Sequence, residues 1–170
     1  MAQLVVRMGE IAATQHAGDV LVGLGLGSCN GLVLIEDRGP VAAMAHIVLP
    51  ESNGKTAAAG KFADTAVPQL IHEVTSIGAT RSRLSAVIVG GAQMFATGGH
   101  LDIGNRNEHA VRQALQAHGV TVRAAATGGS TGRTMRVYLE SCSITCKEAG
   151  HEEMEIAGWG GLTQMARAAA

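Results

Sequence analysis

The chain has 170 residues, a formal charge of −1 from 13 Lys and Arg against 14 Asp and Glu, and an aromatic content of only 2%. That length suits one domain with a buried core. The even charge, with basic residues scattered rather than in runs, removes the electrostatic grounds for nucleic acid or an anionic membrane as partner, and one Trp, one Tyr and two Phe cannot build a base-stacking platform.

Residues 1–7 lack the basic region and long apolar stretch of a signal peptide, and no apolar run approaches the ~18 residues of a membrane span. Three cysteines, an odd number, do not make a disulfide framework, so a reducing cytoplasm and free thiols are expected. Residues 20–26 and 32–36 are apolar with branched side chains and read as strands on either side of Gly27-Ser28-Cys29-Asn30-Gly31. Asp37-Arg38-Gly39-Pro40 has the composition of a hairpin turn, and residues 41–49 form a third strand ended by Pro50. Consecutive, short-linked strands of this kind are expected to pair antiparallel.

Residues 62–77 read as a helix closed by Gly78, with Pro68 requiring either a start near Thr65 or a kink. Residues 84–89 are a buried strand ending at Gly90-Gly91. Asn105 and Glu108 have the spacing of a capping arrangement for a helix that presents Val111, Ala114, Leu115 and His118 on one face and closes at Gly119. Strands over 120–125 and 135–139 flank a glycine-rich loop at 127–132. Residues 1–149 are expected to form the domain and 150–170 a tail, with a short helix over 162–169 and Trp159 packed on the core.

The chemistry concentrates at Cys29 and His46. A lone cysteine is more often a buried small hydrophobe, and a lone strand histidine a hydrogen-bonded core residue. A core cysteine, however, does not require Gly27 and Gly31 around it, and His46 lies on the next strand, placed to take the thiol proton. Backbone N–H groups at Ser28, Cys29 and Asn30 are candidate oxyanion donors, because a glycine-rich turn leaves amides outside the strand ladders.

Competing motifs fail on context. Gly23-x-Gly25-x-Gly27 is followed by a strand, not the helix a dinucleotide fingerprint must open. Gly27-Ser28-Cys29-Asn30-Gly31 imitates a hydrolase nucleophile elbow, but that elbow also needs strand-to-helix geometry and an acid before the histidine. Cys142 and Cys146 on a strand would stand ~13 Å apart, too far for one ion, so no metal is expected. Gly128-Gly129-Ser130-Thr131-Gly132-Arg133 lacks the Lys of a phosphate-binding loop and reads as a surface turn or a loop at the mouth of the site.

Six motifs run in series along the chain: Gly25-Leu26-Gly27-Ser28-Cys29, 44–50 (Met-Ala-His-Ile-Val-Leu-Pro) and 60–67 (Gly-Lys-Phe-Ala-Asp-Thr-Ala-Val), then Gly90-Gly91-Ala92-Gln93-Met94-Phe95, Ile103-Gly104-x-Arg106-Asn107 and Thr127-Gly128-Gly129 with Gly132-Arg133. On these motifs the chain, over roughly residues 4–148, resembles the CheD family of chemoreceptor glutamine deamidases of bacterial and archaeal chemotaxis.

The resemblance implies an α/β (α+β) fold, a three-layer sandwich with mixed β-sheets related to the cysteine hydrolase domain of cytotoxic necrotizing factor toxins. It implies a cytoplasmic protein-glutamine glutaminase that converts selected receptor glutamines to glutamates, in some members with receptor methylesterase activity, and that needs no cofactor. Cys29 takes the place of the nucleophile and His46 of the general base. The implied partners are the cytoplasmic helices of methyl-accepting chemotaxis receptors and CheC, a phosphatase for the response regulator CheY. Gly23 departs from the family, standing where its third catalytic residue is a threonine, so the Gly23 carbonyl is expected to accept the imidazole N–H instead. Asn30 is a second departure, at a position where a small apolar residue is common. Two other functions stay open at this point, a non-catalytic regulator that binds CheC and a cysteine hydrolase acting on a small amide.

Overall fold

The computed structural model describes residues 1–55, 57–95 and 102–160. Strands β1 (Gln3–Val5), β3 (Val20–Leu26), β8 (Arg133–Tyr138), β9 (Ser143–Glu148) and β10 (Glu153–Gly158) form one sheet in the order β1-β3-β8-β9-β10. Strands β2 (Ile11–Thr14), β5 (Ala42–Ile47), β4 (Asn30–Glu36), β6 (Leu84–Gly90) and β7 (Thr121–Thr127) form the other, in the order β2-β5-β4-β6-β7. Each sheet is mixed: β1 runs parallel to β3, β6 runs parallel to β7, and the remaining pairs are antiparallel.

Two helices, α1 (Ala63–Ser76) and α2 (Ile103–Ala117), cover one face of the second sheet. Strand alternation divides the core accordingly. Leu32, Leu34, Ala43, Ala45, Ile47, Ala86 and Ile88 face the helices, where they meet Leu70, Val74, Val111 and Leu115. Cys29, Val33, Ile35, Ala42, Met44, Val87 and Val89 face the first sheet, where they meet Leu21, Leu26, Met135, Val137 and Ile144. The result is three layers, helices on sheet on sheet, as the family resemblance implies.

Three expectations are corrected. First, β3 and β4 do not pair; they lie in different sheets, and residues 27–29 carry the chain across between them. Gly25, at φ +62°, and a bond of 3.0 Å from the Gly27 N–H to the Gly25 carbonyl turn the chain out of the first sheet. Second, α2 begins at Ile103 with Asp102 at its N-cap, so Asn105 and Glu108 lie within the helix; the Asn105 amide donates to the Asp102 carboxylate at 2.6 Å. Third, the segment read as a tail supplies β10, and Trp159 is 1% exposed with its indole N–H donating to the Gly39 carbonyl at 2.8 Å. The fold therefore extends at least to Gly160, while the short helix expected over 162–169 lies outside the described residues.

The helix read over 62–77 is observed as α1, with Pro68 inside it rather than in its first turn. No described helix is long and apolar enough to cross a membrane.

Candidate active site

Three connections cross from sheet to sheet at the same end of the sandwich: residues 6–10 between β1 and β2, 27–29 between β3 and β4, and 128–132 between β7 and β8. Cys29 sits on the second of these crossings. His46 lies on β5 beside it, because Gly31 is the direct partner of His46 and Cys29 stands two residues before Gly31. By alternation Cys29, Gly31, Met44 and His46 share the face toward the first sheet. Side chains in that diagonal relation have Cα atoms about 7–8 Å apart, within reach of an imidazole. Cys29 is 9% exposed and His46 3% exposed, so both are shielded from bulk water.

The first crossing grips the histidine at three points. The Gly9 N–H donates to the His46 carbonyl at 2.8 Å, the His46 N–H donates to the Glu10 carbonyl at 3.1 Å, and His46 Nδ1 lies 3.1 Å from the Val6 carbonyl. A carbonyl can only accept, so Nδ1 carries the proton and Nε2 presents its lone pair. Nε2 is buried and makes no hydrogen bond among the described residues. A buried, unpaired acceptor on the sheet face that carries the thiol suits a base awaiting a proton.

This contact corrects the expectation for Gly23. The carbonyl at the imidazole belongs to Val6, which follows β1 and whose own N–H bonds the Val22 carbonyl at 2.8 Å. Gly23 lies inside the ladder opposite Met135. A Cβ built on Gly23 would stand 3.4 Å from Met44 Sδ, and so would point toward the layer that holds His46. The sequence offers no signal for Val6, because the group it contributes is common to every residue.

The thiol's turn is held from behind. The Gly27 carbonyl accepts from the Ala92 N–H at 2.8 Å, the Ser28 carbonyl from the Asn107 amide at 2.9 Å, and the Cys29 carbonyl from the Gly91 N–H at 2.9 Å. Across a trans peptide the N–H points opposite to the C=O, so the first two bonds aim the Ser28 N–H away from Ala92 and the Cys29 N–H away from Asn107. Neither N–H reaches a backbone acceptor among the described residues. Gly90 is required here: it sits at φ +113°, and an added Cβ would fall 2.1 Å from the Cys29 carbonyl oxygen. The side chain of Asn30 is fully buried on the opposite face of β4, against Gly91, and its backbone is paired in the ladder with Ile47 and Gly90, so Asn30 offers no group to the thiol side.

Burial sets the titration of both groups. Desolvation pushes the Cys29 thiol up from its ordinary value, against a smaller lowering by its own backbone N–H. Desolvation pushes the His46 imidazole down, opposed by the Val6 carbonyl and by the charge of Glu10. The resting pair is therefore thiol and neutral imidazole rather than a preformed ion pair.

The other motifs fall into place around this seam. The Gly128 N–H donates to the Gly90 carbonyl at 3.1 Å and the Gln93 N–H to the Gly129 carbonyl at 2.8 Å, which puts the 127–132 loop beside the segment that holds the thiol's turn. Met94 packs against Gly27, and Met94 and Phe95 remain exposed. Cys146 faces the core between the sheets, and Cys142 precedes β9. Among the described residues no three His, Cys, Asp or Glu side chains are grouped as metal ligands.

The fold defines a sandwich protein that carries a cysteine on a crossing between its sheets and a histidine on the neighbouring strand β5. The family model described as "CheD chemotactic sensory transduction" matches residues 48–148. The chain is 41% identical over 153 residues to the chemoreceptor glutamine deamidase CheD of Thermotoga maritima, covering 89% of this chain and 96% of that one. It is 40% identical over 157 residues to a probable chemoreceptor glutamine deamidase CheD of Symbiobacterium thermophilum, covering 89% and 95%. A probable chemoreceptor glutamine deamidase CheD of Methanococcus vannielii is 37% identical over 155 residues, covering 90% and 99%. The chain belongs to the CheD family.

Proposed function

We propose that this protein is a chemoreceptor glutamine deamidase in which Cys29 is the nucleophile and His46 the general base. The observation that carries the reading is the His46 ring: Nδ1 is anchored on the Val6 carbonyl, and Nε2 is buried, unpaired and on the face that carries Cys29. His46 Nε2 takes the thiol proton as Sγ attacks the amide carbon of a receptor glutamine. The Ser28 and Cys29 N–H groups receive the developing oxyanion. The C–N bond breaks as Nε2 returns its proton to the nitrogen, releasing ammonia and leaving a thioester on Cys29. Water, deprotonated at the same nitrogen, then opens the thioester to glutamate and the free thiol.

A methyl ester would follow the same path with methanol leaving, so receptor methylesterase activity is chemically compatible. The exposed Met94 and Phe95 beside the turn favour a protein helix over a small amide as substrate, since an apolar rim gives such a helix a surface to rest on. Binding of a CheC-type phosphatase and a cytoplasmic location belong to the same proposal and rest on the family resemblance.

The role of Gly23 is tested by Gly23→Thr. An added Cβ would meet Met44 Sδ at 3.4 Å and Leu26 Cδ1 at 3.5 Å, both ends of flexible side chains that can shift for the rest of the threonine, so the variant is expected to fold. With Nδ1 already held by Val6, ammonia release from a receptor cytoplasmic fragment is expected to stay within about threefold of wild type. A tenfold rise in kcat would show instead that Gly23 leaves the imidazole under-oriented.

A further inference from the structure

The motif Ile103-Gly104-x-Arg106-Asn107 has no part in the chemistry described above, yet it ends in a buried polar side chain. Asn107 is 0% exposed and lies in the second turn of α2. Asparagine is a poor helix former, and burying its amide is costly unless the amide is bonded. Here one nitrogen is used twice: Asn107 Nδ2 donates to the Ser28 carbonyl at 2.9 Å and to the Val48 carbonyl at 2.9 Å.

Those two carbonyls are 20 residues apart in sequence and belong to the two halves of the dyad. The first is in the peptide that links Ser28 to Cys29. The second lies two residues beyond His46, just past the end of β5. The helix is seated closely enough for this reach because residue 104 has no side chain: a Cβ on Gly104 would fall 2.4 Å from the Ala92 carbonyl. The same segment supplies the Gly91 and Ala92 N–H groups that hold the Cys29 and Gly27 carbonyls.

We infer that Asn107 is a positioning residue for the deamidation reaction: by holding the Ser28 carbonyl it aims the Cys29 N–H at the developing oxyanion, and by holding the Val48 carbonyl it ties that peptide to the strand of the base. This rests on the function proposed above. Oxyanion geometry matters in the transition state and little in substrate binding, so the loss falls on kcat.

The test compares two reactions of the same thiol in wild type, Asn107→Ala and the shape-preserving Asn107→Asp. Deamidation of a receptor cytoplasmic fragment passes through an oxyanion, whereas alkylation of Cys29 by iodoacetamide, read by mass on the Cys29 peptide, does not. Asn107→Ala is expected to lower kcat about 100-fold with KM unchanged, while alkylation at one fixed pH changes by no more than about threefold. Asn107→Asp, which keeps the shape but loses the donor, is expected to behave alike. Wild-type kcat in both variants overturns the inference, as does alkylation that falls in parallel with deamidation, or a rise in KM alone. Loss of the melting transition in both variants assigns Asn107 to stability only and overturns it equally. A wild-type protein that alkylates normally yet releases no ammonia overturns the proposed function itself, which separates the two failures.

Discussion

Cys29→Ala is expected to fold and melt close to wild type and to release ammonia from a receptor cytoplasmic fragment at least about a thousandfold more slowly. The effect is large because no other thiol can substitute. Cys146 faces the core from β9, and Cys142 lies at the far end of that strand, where it bonds the Leu139 carbonyl at 3.5 Å. The structural cost is small, because the substitution removes one sulfur from a site at the edge of the core and leaves the bonds from Ala92, Asn107 and Gly91 to the turn in place. The melting temperature, measured beside the ammonia assay, separates lost chemistry from lost fold. Activity that persists in the variant contradicts Cys29 as nucleophile. A wild type as silent as the variant favours the non-catalytic, CheC-binding reading.

His46→Gln is expected to lower kcat by about 10²–10⁴-fold, the usual range for removal of a positioned general base. The pH profile of the wild type carries the finer signature. Activity requires the imidazole neutral and the thiol protonated at rest. Burial lowers the His46 value, so the acid limb of kcat/KM is expected below the ordinary histidine value of about 6.5. Burial raises the Cys29 value, so the alkaline limb is expected above the ordinary thiol value of about 8.5. The bell is thus wider than free histidine and cysteine would give. Glu10→Gln removes a charge that raises the imidazole value, so it should move the acid limb further down. A shift upward in that variant, or an acid limb above the ordinary histidine range in wild type, contradicts this electrostatic account. The same burial has a sign for stability: the unfolded chain binds the His46 proton more readily, so this residue costs stability as pH falls below about 6.5.

The elements that are continuous apolar runs or carry a helical pattern are legible in the sequence: β3, β4, β5, β6, α1 and the body of α2 lie where residue patterning places them. Strands β1 and β2 are not, because three and four residues are too few to show a period. Strand β10 was hidden by its composition: Glu153 and Glu155 are exposed on an edge strand, where charge guards against unwanted pairing and resembles a solvated tail. Sheet membership was beyond reach, since Gly27-Ser28-Cys29 serves equally well as a hairpin turn within one sheet or a crossing between two. The thiol and imidazole could be found because their side chains are distinctive. The Val6 carbonyl leaves no trace in the sequence, since any residue supplies one, and the role of Asn107 lies in two bonds to backbone carbonyls that no residue pattern marks.

The central claim is that this protein hydrolyses receptor glutamine side chains through Cys29. Its most direct test is to incubate wild type with a chemoreceptor cytoplasmic fragment in water enriched in heavy oxygen and read the receptor peptides by mass spectrometry. The account predicts that particular glutamines become glutamates carrying the heavy oxygen in wild type, and that they stay unlabelled with Cys29→Ala. Unchanged glutamines after exposure to folded wild-type protein, or equal labelling by the variant, would contradict it.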